Sequence, residues 1–398
     1  MNTIPPLVQD VLDRLGVPEA DFTTARTMPT EVYTSEEFYE FEKEAIFAKE
    51  WLCLGHVSQI PKIGDYYTIT VGDEPLIVTR DNDENVRVMS AICQHRAYPV
   101  VEDNDKGNTK EFRCPYHYWA YNLEGQLKTA PEMKRTCTMA QLRSETSLPN
   151  LKVEIWHGMI FANMDLDAAQ LAPQLVKLEE EMEIYGVANL ELTDLQEFPG
   201  LEWNWKGMHE NALEPYHTSF VHMGYHEVAP ASMAEFVEFE DTDNVIMHPT
   251  NYRYIDAGFN PTGKVILPVF PGLDELRRSR IMFASILPTV FFAFSPDQVF
   301  YFLITPESAN TMTLRAAWLF PPEIKNAPGF EWTFEMQNAV NQVINDQDMV
   351  TNKRMQDGQK SRYAKRGRYS WQETTLPQVN RWLALRYQSH AKSLTEAD

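Results

Sequence analysis

CQHRAYPV, Cys93 to Val100, and CPYHYWAY, Cys114 to Tyr121, each set a cysteine and a histidine within one short turn of chain. With only four cysteines present, placing two of them beside histidines asks for a chemical reason. Cys93-x-His95 and Cys114-x2-His117 form two mixed hooks, each offering one thiolate and one imidazole. Such a donor set suits a tetrahedral zinc ion, or an asymmetric 2Fe-2S cluster in which thiolates hold one iron and imidazoles the other. Zinc fingers of this composition put both cysteines in one hook and both histidines in the other, whereas a mixed hook lets each loop reach both irons. A zinc-stabilised subdomain is the competing reading.

The 398 residues exceed one typical domain, so two or three domains with an extensive core are expected. Apolar residues at 43% and aromatics at 12% indicate a globular chain. The formal net charge of -22 repels phosphate backbones and anionic headgroups, so neither nucleic acid nor a membrane surface is expected as partner. MNTIPPLVQDVLDRLG lacks the basic start and apolar run of a signal peptide, no window reaches the ~18 apolar residues of a membrane span, and a cytoplasmic protein is expected. Reducing surroundings leave thiols free for metal, and Cys53 and Cys137, without close histidines, read as small buried residues.

Thr34 with Glu37 has the form of a capping box, and Phe38, Phe41, Ala45 and Ile46 follow at helical spacing. From Trp51 the texture changes to short alternating runs, DYYTITV, EPLIVTR and NVRVMSAI, which predict a small all-β unit containing both hooks. Beyond it, Leu175, Leu178, Met182 and Tyr185 form one helical stripe ending at Gly186. SRIMFASILPTVFFAF, QVFYFLITP and TMTLRAAWLFPP predict strands, with helices over 328–357 and 373–390. The expected class is α+β: an N-terminal helical segment (1–44) packing on the last domain, an all-β domain (45–165), and that last domain, with an antiparallel sheet covered by helices (166–398).

HENALEPYHTSFVHMGYH holds a second constellation. Glu214, His217 and His222 form E-x2-H-x4-H, and two neutral imidazoles with a distant carboxylate make a facial triad that leaves positions open on Fe(II). Residues five apart lie about 140° apart around a helix, so the helix must bend or end there, helped by Pro215. His209 and His226 are the rival ligands.

Cys93, His95, Cys114 and His117, with their flanking HR and CPYH, resemble the ligand loops of a Rieske iron-sulfur domain. Trp51, Gly55, His56, Gly64-Asp65-Tyr66 and Arg80 are similar to its entry strands, although Ala97 and Tyr118 stand where such oxygenases usually have glycine. Over residues 45–390 the chain resembles the α subunits of Rieske non-heme iron oxygenases, the ring-hydroxylating family, which implies a helix-grip type catalytic domain. The resemblance implies that Asn211 matches the motif's asparagine, Glu214 its bridging acid and His217 and His222 the ligands. It supplies Asp348 as third ligand, within INDQDMVTNKRMQDGQKS, where Gln347 replaces the usual acid and Asp346 is a competitor.

By the same resemblance the cofactors are a 2Fe-2S cluster and a mononuclear Fe(2+), with O2 as co-substrate. Glu214 would join His117 of a neighbouring copy to His217 in a head-to-tail homotrimer, with or without a separate β subunit. No Gly-rich nucleotide fingerprint is present, so NAD(P)H enters only through a separate reductase or ferredoxin. Lys353, Arg354, Lys360, Arg362, Lys365, Arg366 and Arg368 form a candidate docking surface. The substrate is a small organic molecule, an aromatic compound or a quaternary amine, to be hydroxylated, dihydroxylated or demethylated. Ile286 to Phe294, Tyr252 and Tyr254 are candidate pocket residues, and Arg253, Arg277, Arg278 and Arg280 candidate carboxylate partners. The alternative class is an iron-sulfur electron carrier or redox sensor without oxygenase activity.

Overall fold

The computed structural model describes residues 4–396 other than Pro261, without the side chains of Met223, Tyr225 and His226. It divides into two compact units, Ala48–Ala169, and Met1–Phe47 together with Gln170–Asp398.

The first unit is built from β1 (Leu52–His56), β2 (Asp65–Val71), β3 (Glu74–Arg80), β4 (Val86–Ser90), β5 (Lys106–Asn108), β6 (Phe112–Arg113), β7 (Ala120–Tyr121), β8 (Leu127–Thr129), β9 (Lys152–Trp156) and β10 (Met159–Asn163). These pair as three sheets, β1-β10-β9, β4-β3-β2-β5 and β6-β7-β8. The three alternating runs of the sequence are β2, β3 and β4. One hook follows β4 and the other joins β6 to β7. Cys93 and Cys114 sit in the apolar core with Ile77, Phe112, Trp119 and Tyr121. Cys53 is buried as expected, but Cys137 is only half-buried.

In the second unit β11 (Glu191–Leu192), β13 (Val245–Asn251), β14 (Arg280–Ile286), β15 (Val290–Ser295), β16 (Gln298–Pro306) and β17 (Met312–Phe320) lie in the order β11-β17-β16-β15-β14-β13, while β12 (Gln196–Leu201) also pairs with β17. Among the described residues its strands pair antiparallel throughout. β15 is buried at all six positions, which explains why VFFAFS shows no polar alternation: both faces are covered. Phe294 meets Tyr185 on one face, while Phe291 stacks near Phe283 and Phe302 on the other. The stripe Leu175, Leu178, Met182 and Tyr185 is buried, and Gly186 ends it with φ of 63°.

The N-terminal segment belongs to this second unit. Its helix Glu36–Glu42 is capped by Ser35, whose side chain accepts from Phe38 N, so the start is one residue later than the Thr34 reading. Phe38 and Phe41 pack on Tyr387 of the helix Thr375–Glu396. The other long helix, Phe330–Gln359, begins and ends two residues beyond the expected range.

Glu42 and Lys206 are both fully buried, with Lys206 Nζ 2.7 Å from Glu42 Oε1. Glu210 lies one helical turn beyond Lys206 and accepts a 2.5 Å hydrogen bond from Tyr33 Oη. Two carboxylates therefore share one ammonium away from water. Burial pushes Glu210 up to about 7, against the opposing pull of Tyr33 and Lys206. A carboxyl whose folded pKa is raised costs nothing below its unfolded value near 4.5 and destabilises progressively as pH rises to about 7. Glu210→Gln should therefore gain stability over the parent between pH 5 and pH 8, by on the order of 2 kcal/mol, in denaturant melts at the two pH values. A pH-independent difference would contradict the assignment.

Candidate metal centres

The two hooks share one backbone design. Cys93 N donates to Tyr98 O (3.0 Å) and Ala97 N to Cys93 O (3.0 Å); Cys114 N donates to Trp119 O (2.8 Å) and Tyr118 N to Cys114 O (2.9 Å). Each turn needs a residue at positive φ, and Ala97 (53°) and Tyr118 (60°) occupy those positions. Glycine would adopt this region freely; a side chain costs roughly 1 kcal/mol there. The hooks accept that cost and keep their shape.

Both thiols are buried while His95 is exposed and His117 half-buried. The imidazole centroids lie 4.6 Å apart, and His95 stacks on Trp119 at 4.6 Å with planes 4° apart. Sulfur donors inside and nitrogen donors outside match a cluster with one thiolate-held and one imidazole-held iron, and the four residues can hold it. Sequence reasoning missed Tyr121. Its oxygen accepts from Gln94 N (3.2 Å), leaving its O–H to donate to Cys93 Sγ at 3.3 Å.

The second constellation begins with the helix Trp205–Ala212, capped by Asn204, which accepts from Lys206 N. His209 on this helix is fully committed: Nδ1 meets Ser285 Oγ and Nε2 meets Pro288 O, each at 2.8 Å. Burial pushes its pKa down to about 4, so it is a neutral pin between helix and sheet. The side chain of His226, the other rival, lies outside the described residues. After Pro215 a single turn, Thr218–Val221, is flanked by His217 and by His222, whose φ of -117° and ψ of 63° leave the helix. The chain thus ends its helix between the two histidines, as their spacing requires.

The helix Phe330–Gln359 supplies Asp348. Asp348 Oδ1 is 2.9 Å from His222 Nε2 and 3.6 Å from His217 Nε2, and ligand atoms of the three residues lie within 4.8 Å of one another. Each Nδ1 is held from behind, on His217 by Glu214 Oε1 (2.6 Å) and on His222 by Gln347 Oε1 (2.7 Å). A ring that donates Nδ1–H presents a bare Nε2 lone pair, the form that ligates a metal. Gln347, a departure from the family pattern, therefore has a task the sequence did not disclose. Asn211 Nδ2 donates to Asp348 Oδ1 at 3.3 Å, and Glu214 also accepts from His217 N at 3.0 Å. Burial opposes a charge on His217, but Glu214 and Asp348 raise its pKa on balance. Surroundings that attract a proton also attract a cation, and two carboxylates match a divalent ion. Asp346 is exposed and accepts from Gln342 Nε2, away from this cluster.

A cavity adjoins the three residues. Phe198, Phe259, Phe283, Phe291, Phe300, Phe302 and Trp318 line it, with Asn and Gln side chains and His248. His248 is buried, and burial pushes it down to about 4. Of the expected run Ile286 to Phe294 only Phe291 lines the cavity, because alternate residues of a strand face opposite ways. Tyr252 and Tyr254 are not among the lining residues, nor are the four arginines. Arg253 donates to Glu227 O, Arg277 pairs with Asp274 and Glu180, Arg278 with Asp256, and Arg280 with Glu181.

With a 2Fe-2S cluster bound, a hydrogen bond to Cys93 sulfur favours the reduced, more negative state. Tyr121→Phe should lower the cluster's midpoint potential by about 40 mV, the worth of one modest hydrogen bond. Redox titration followed by EPR would detect the shift, and an unchanged potential would remove Tyr121 from this role.

Comparisons with known proteins converge on one family. The model for the ring hydroxylating alpha subunit (catalytic domain) matches residues 148–389, and that for the Rieske [2Fe-2S] domain matches residues 50–151. The chain is 31% identical over 289 residues to the 2-aminobenzenesulfonate 2,3-dioxygenase subunit alpha of an Alcaligenes species, covering 61% of this chain and 70% of that one. It is 33% identical over 207 residues to the carnitine monooxygenase oxygenase subunit of Acinetobacter pittii, covering 50% of this chain and 54% of that one, so it spans about half the length of that relative. Among solved structures, a quaternary ammonium Rieske monooxygenase superposes with a TM-score of 0.77 at 24% identity, over 98% of this chain and 99% of that one. Naphthalene 1,2-dioxygenase from a Rhodococcus species gives 0.75 at 20%, over 96% and 97%. These two likenesses concern the fold. The family model that covers more than half of the chain decides membership: this protein belongs to the ring hydroxylating alpha subunits, with a Rieske 2Fe-2S domain ahead of a non-heme iron catalytic domain.

Proposed function

We propose that this chain is the oxygenase component of a multicomponent system that uses O2 and externally supplied electrons to oxidise a small organic substrate. The observation that carries the reading is the meeting of two back-anchored imidazoles and one carboxylate oxygen at the wall of a largely aromatic cavity. When bound, the cluster supplies electrons singly and the Fe(II) ion activates dioxygen.

Cys93, Cys114, His95 and His117 would hold the cluster, and His217, His222 and Asp348 would hold the iron. Glu214 and Gln347 fix the ring orientations and tautomers, while Asn211 restrains Asp348. A set of three protein donors would leave positions open on such an ion. The aromatic walls exclude water, so that oxygen chemistry is directed at the substrate. An electron carrier would need only the first unit and gives no reason for the second set of ligands.

Electrons come from NAD(P)H through a separate reductase or ferredoxin. Of the basic run, Arg354, Lys360, Arg362 and Lys365 are exposed and form the docking candidates, whereas Arg366 and Arg368 donate to backbone carbonyls of the N-terminal segment and Lys353 pairs with Asp357. In a head-to-tail homotrimer Glu214, already bound to His217, would reach His117 of a neighbouring copy and carry the electron across. Among the described residues no helix is long and apolar enough to cross a membrane, in keeping with a cytoplasmic enzyme.

Asp348→Ala should retain the EPR signal of the reduced cluster, fall from about three to about two irons per chain, and lose turnover with reductase and O2. Undiminished turnover would overturn the oxygenase reading. Glu214→Gln should keep both metals yet slow single-turnover oxidation of the reduced cluster; equal rates would remove the bridging role.

A further inference from the structure

The second unit buries two histidines that are not candidate metal ligands, His209 and His248, and treats them in opposite ways. His209 has both ring nitrogens engaged, by Ser285 Oγ and Pro288 O. His248, in the middle of β13, is 1% exposed, and neither of its ring nitrogens has a hydrogen-bond partner among the described residues. An imidazole taken out of water with both nitrogens bare costs the fold free energy and returns none, which is why buried polar groups are nearly always paired. A leucine would fill the same place without that cost.

The neighbours of His248 explain the lack. The strand register sets it opposite Phe283, whose ring centroid is 5.2 Å away, and Phe236 lies 5.7 Å away; neither ring carries a hydrogen-bonding atom. Burial pushes the imidazole down to about 4 against the pull of the Pro249 carbonyl, which lies outside hydrogen-bond geometry. Were the ring to turn toward that carbonyl, its other nitrogen would still be a bare acceptor. What remains open to it is the cavity, which it lines together with Phe283, His217, His222 and Asp348. It stands apart from the three residues whose ligand atoms converge. A neutral imidazole has one N–H to give and one lone pair to receive, and a hydroxyl group answers either, since it both donates and accepts.

We propose that His248 is a specificity-determining residue of the cavity: it holds a neutral, hydroxyl-bearing substrate by a hydrogen bond and so fixes how that molecule is presented to His217, His222 and Asp348. The proposal rests on the oxygenase reading only in calling the molecule a substrate, and equilibrium binding tests it separately. The full chain, loaded with cluster and iron, would be titrated calorimetrically with benzyl alcohol and with ethylbenzene, which has a methyl group in place of the hydroxyl. His248→Leu should weaken benzyl alcohol about tenfold and leave ethylbenzene within about twofold, the second result also showing that the cavity is intact. His248→Gln, whose amide still gives and accepts, should hold the alcohol within about threefold of the parent. Without any ligand, His248→Leu should raise the thermal midpoint by about 2 °C, because the bare nitrogens are gone, whereas an imidazole bound to a structural water would be missed. An unchanged or lowered midpoint, an alcohol affinity that survives His248→Leu, an equal loss of both probes, or no binding of benzyl alcohol to the parent would overturn the proposal. The expected binding pattern without any reductase-driven oxygen uptake would count against the oxygenase reading and leave the role of His248 standing.

Discussion

Asp348 Oδ1 meets the Nε2 atoms of His217 and His222 at 3.6 and 2.9 Å, and the arrangement of the catalytic unit follows from that demand. The two histidines are near neighbours in sequence, while the carboxylate comes from a distant helix. The helix Phe330–Gln359 must therefore be fixed in axial position and rotation, since one residue of slip turns Asp348 away by about 100°. Phe330 and Phe334 fix its beginning against the sheet. Gln356, bonded to Asn204 N, Tyr33 O and Asn310, fixes its end. His209 pins the other contributing helix to Ser285 and Pro288. Each clamp lies outside the ligand set, and together they make the convergence possible.

A comparable division of labour holds at the hooks. The two thiols proposed to hold the cluster are fixed by the core, where Cys93 and Cys114 pack among Ile77, Phe112 and Tyr121, while the imidazoles reach outward on turns set by paired backbone bonds. The buried side sets the electrostatics of the thiolates through Tyr121. The outer side carries the exposed Tyr98, Tyr116 and Tyr118 around the histidines.

Much of this could be read from the chain. The hooks announce themselves because soft and borderline ligands at mixed spacing have few other uses, and the strands of the first unit follow from their two-residue alternation. The break between His217 and His222 was predictable from the 3.6-residue period alone. Other features were closed to sequence reading for physical reasons. β15 is covered on both faces, so its composition did not say which phenylalanines face the cavity. Gln347 looked like a lost acid, and only the 2.7 Å contact to His222 gives it a function. His209 could not be separated from the ligands until both of its nitrogens had partners. The candidate arginines looked available in a linear list, but the fold commits Arg253 to Glu227 O, Arg277 to Asp274 and Glu180, Arg278 to Asp256 and Arg280 to the buried Glu181.

The covering of β15 on both sides has a further consequence. Phe291 and Phe292 are adjacent, equally bulky and equally buried, yet one faces the cavity beside His217, His222 and Asp348 and the other the packed layer beneath Tyr185. Inserting or deleting one residue in this strand would exchange those surfaces without altering its hydrophobicity. Only the neighbouring strands, through their pairing register, distinguish cavity wall from structural filling. Natural variation in the chamber should accordingly proceed by swapping side chains in place, and changes of length should be confined to the connections at the ends of the sheet.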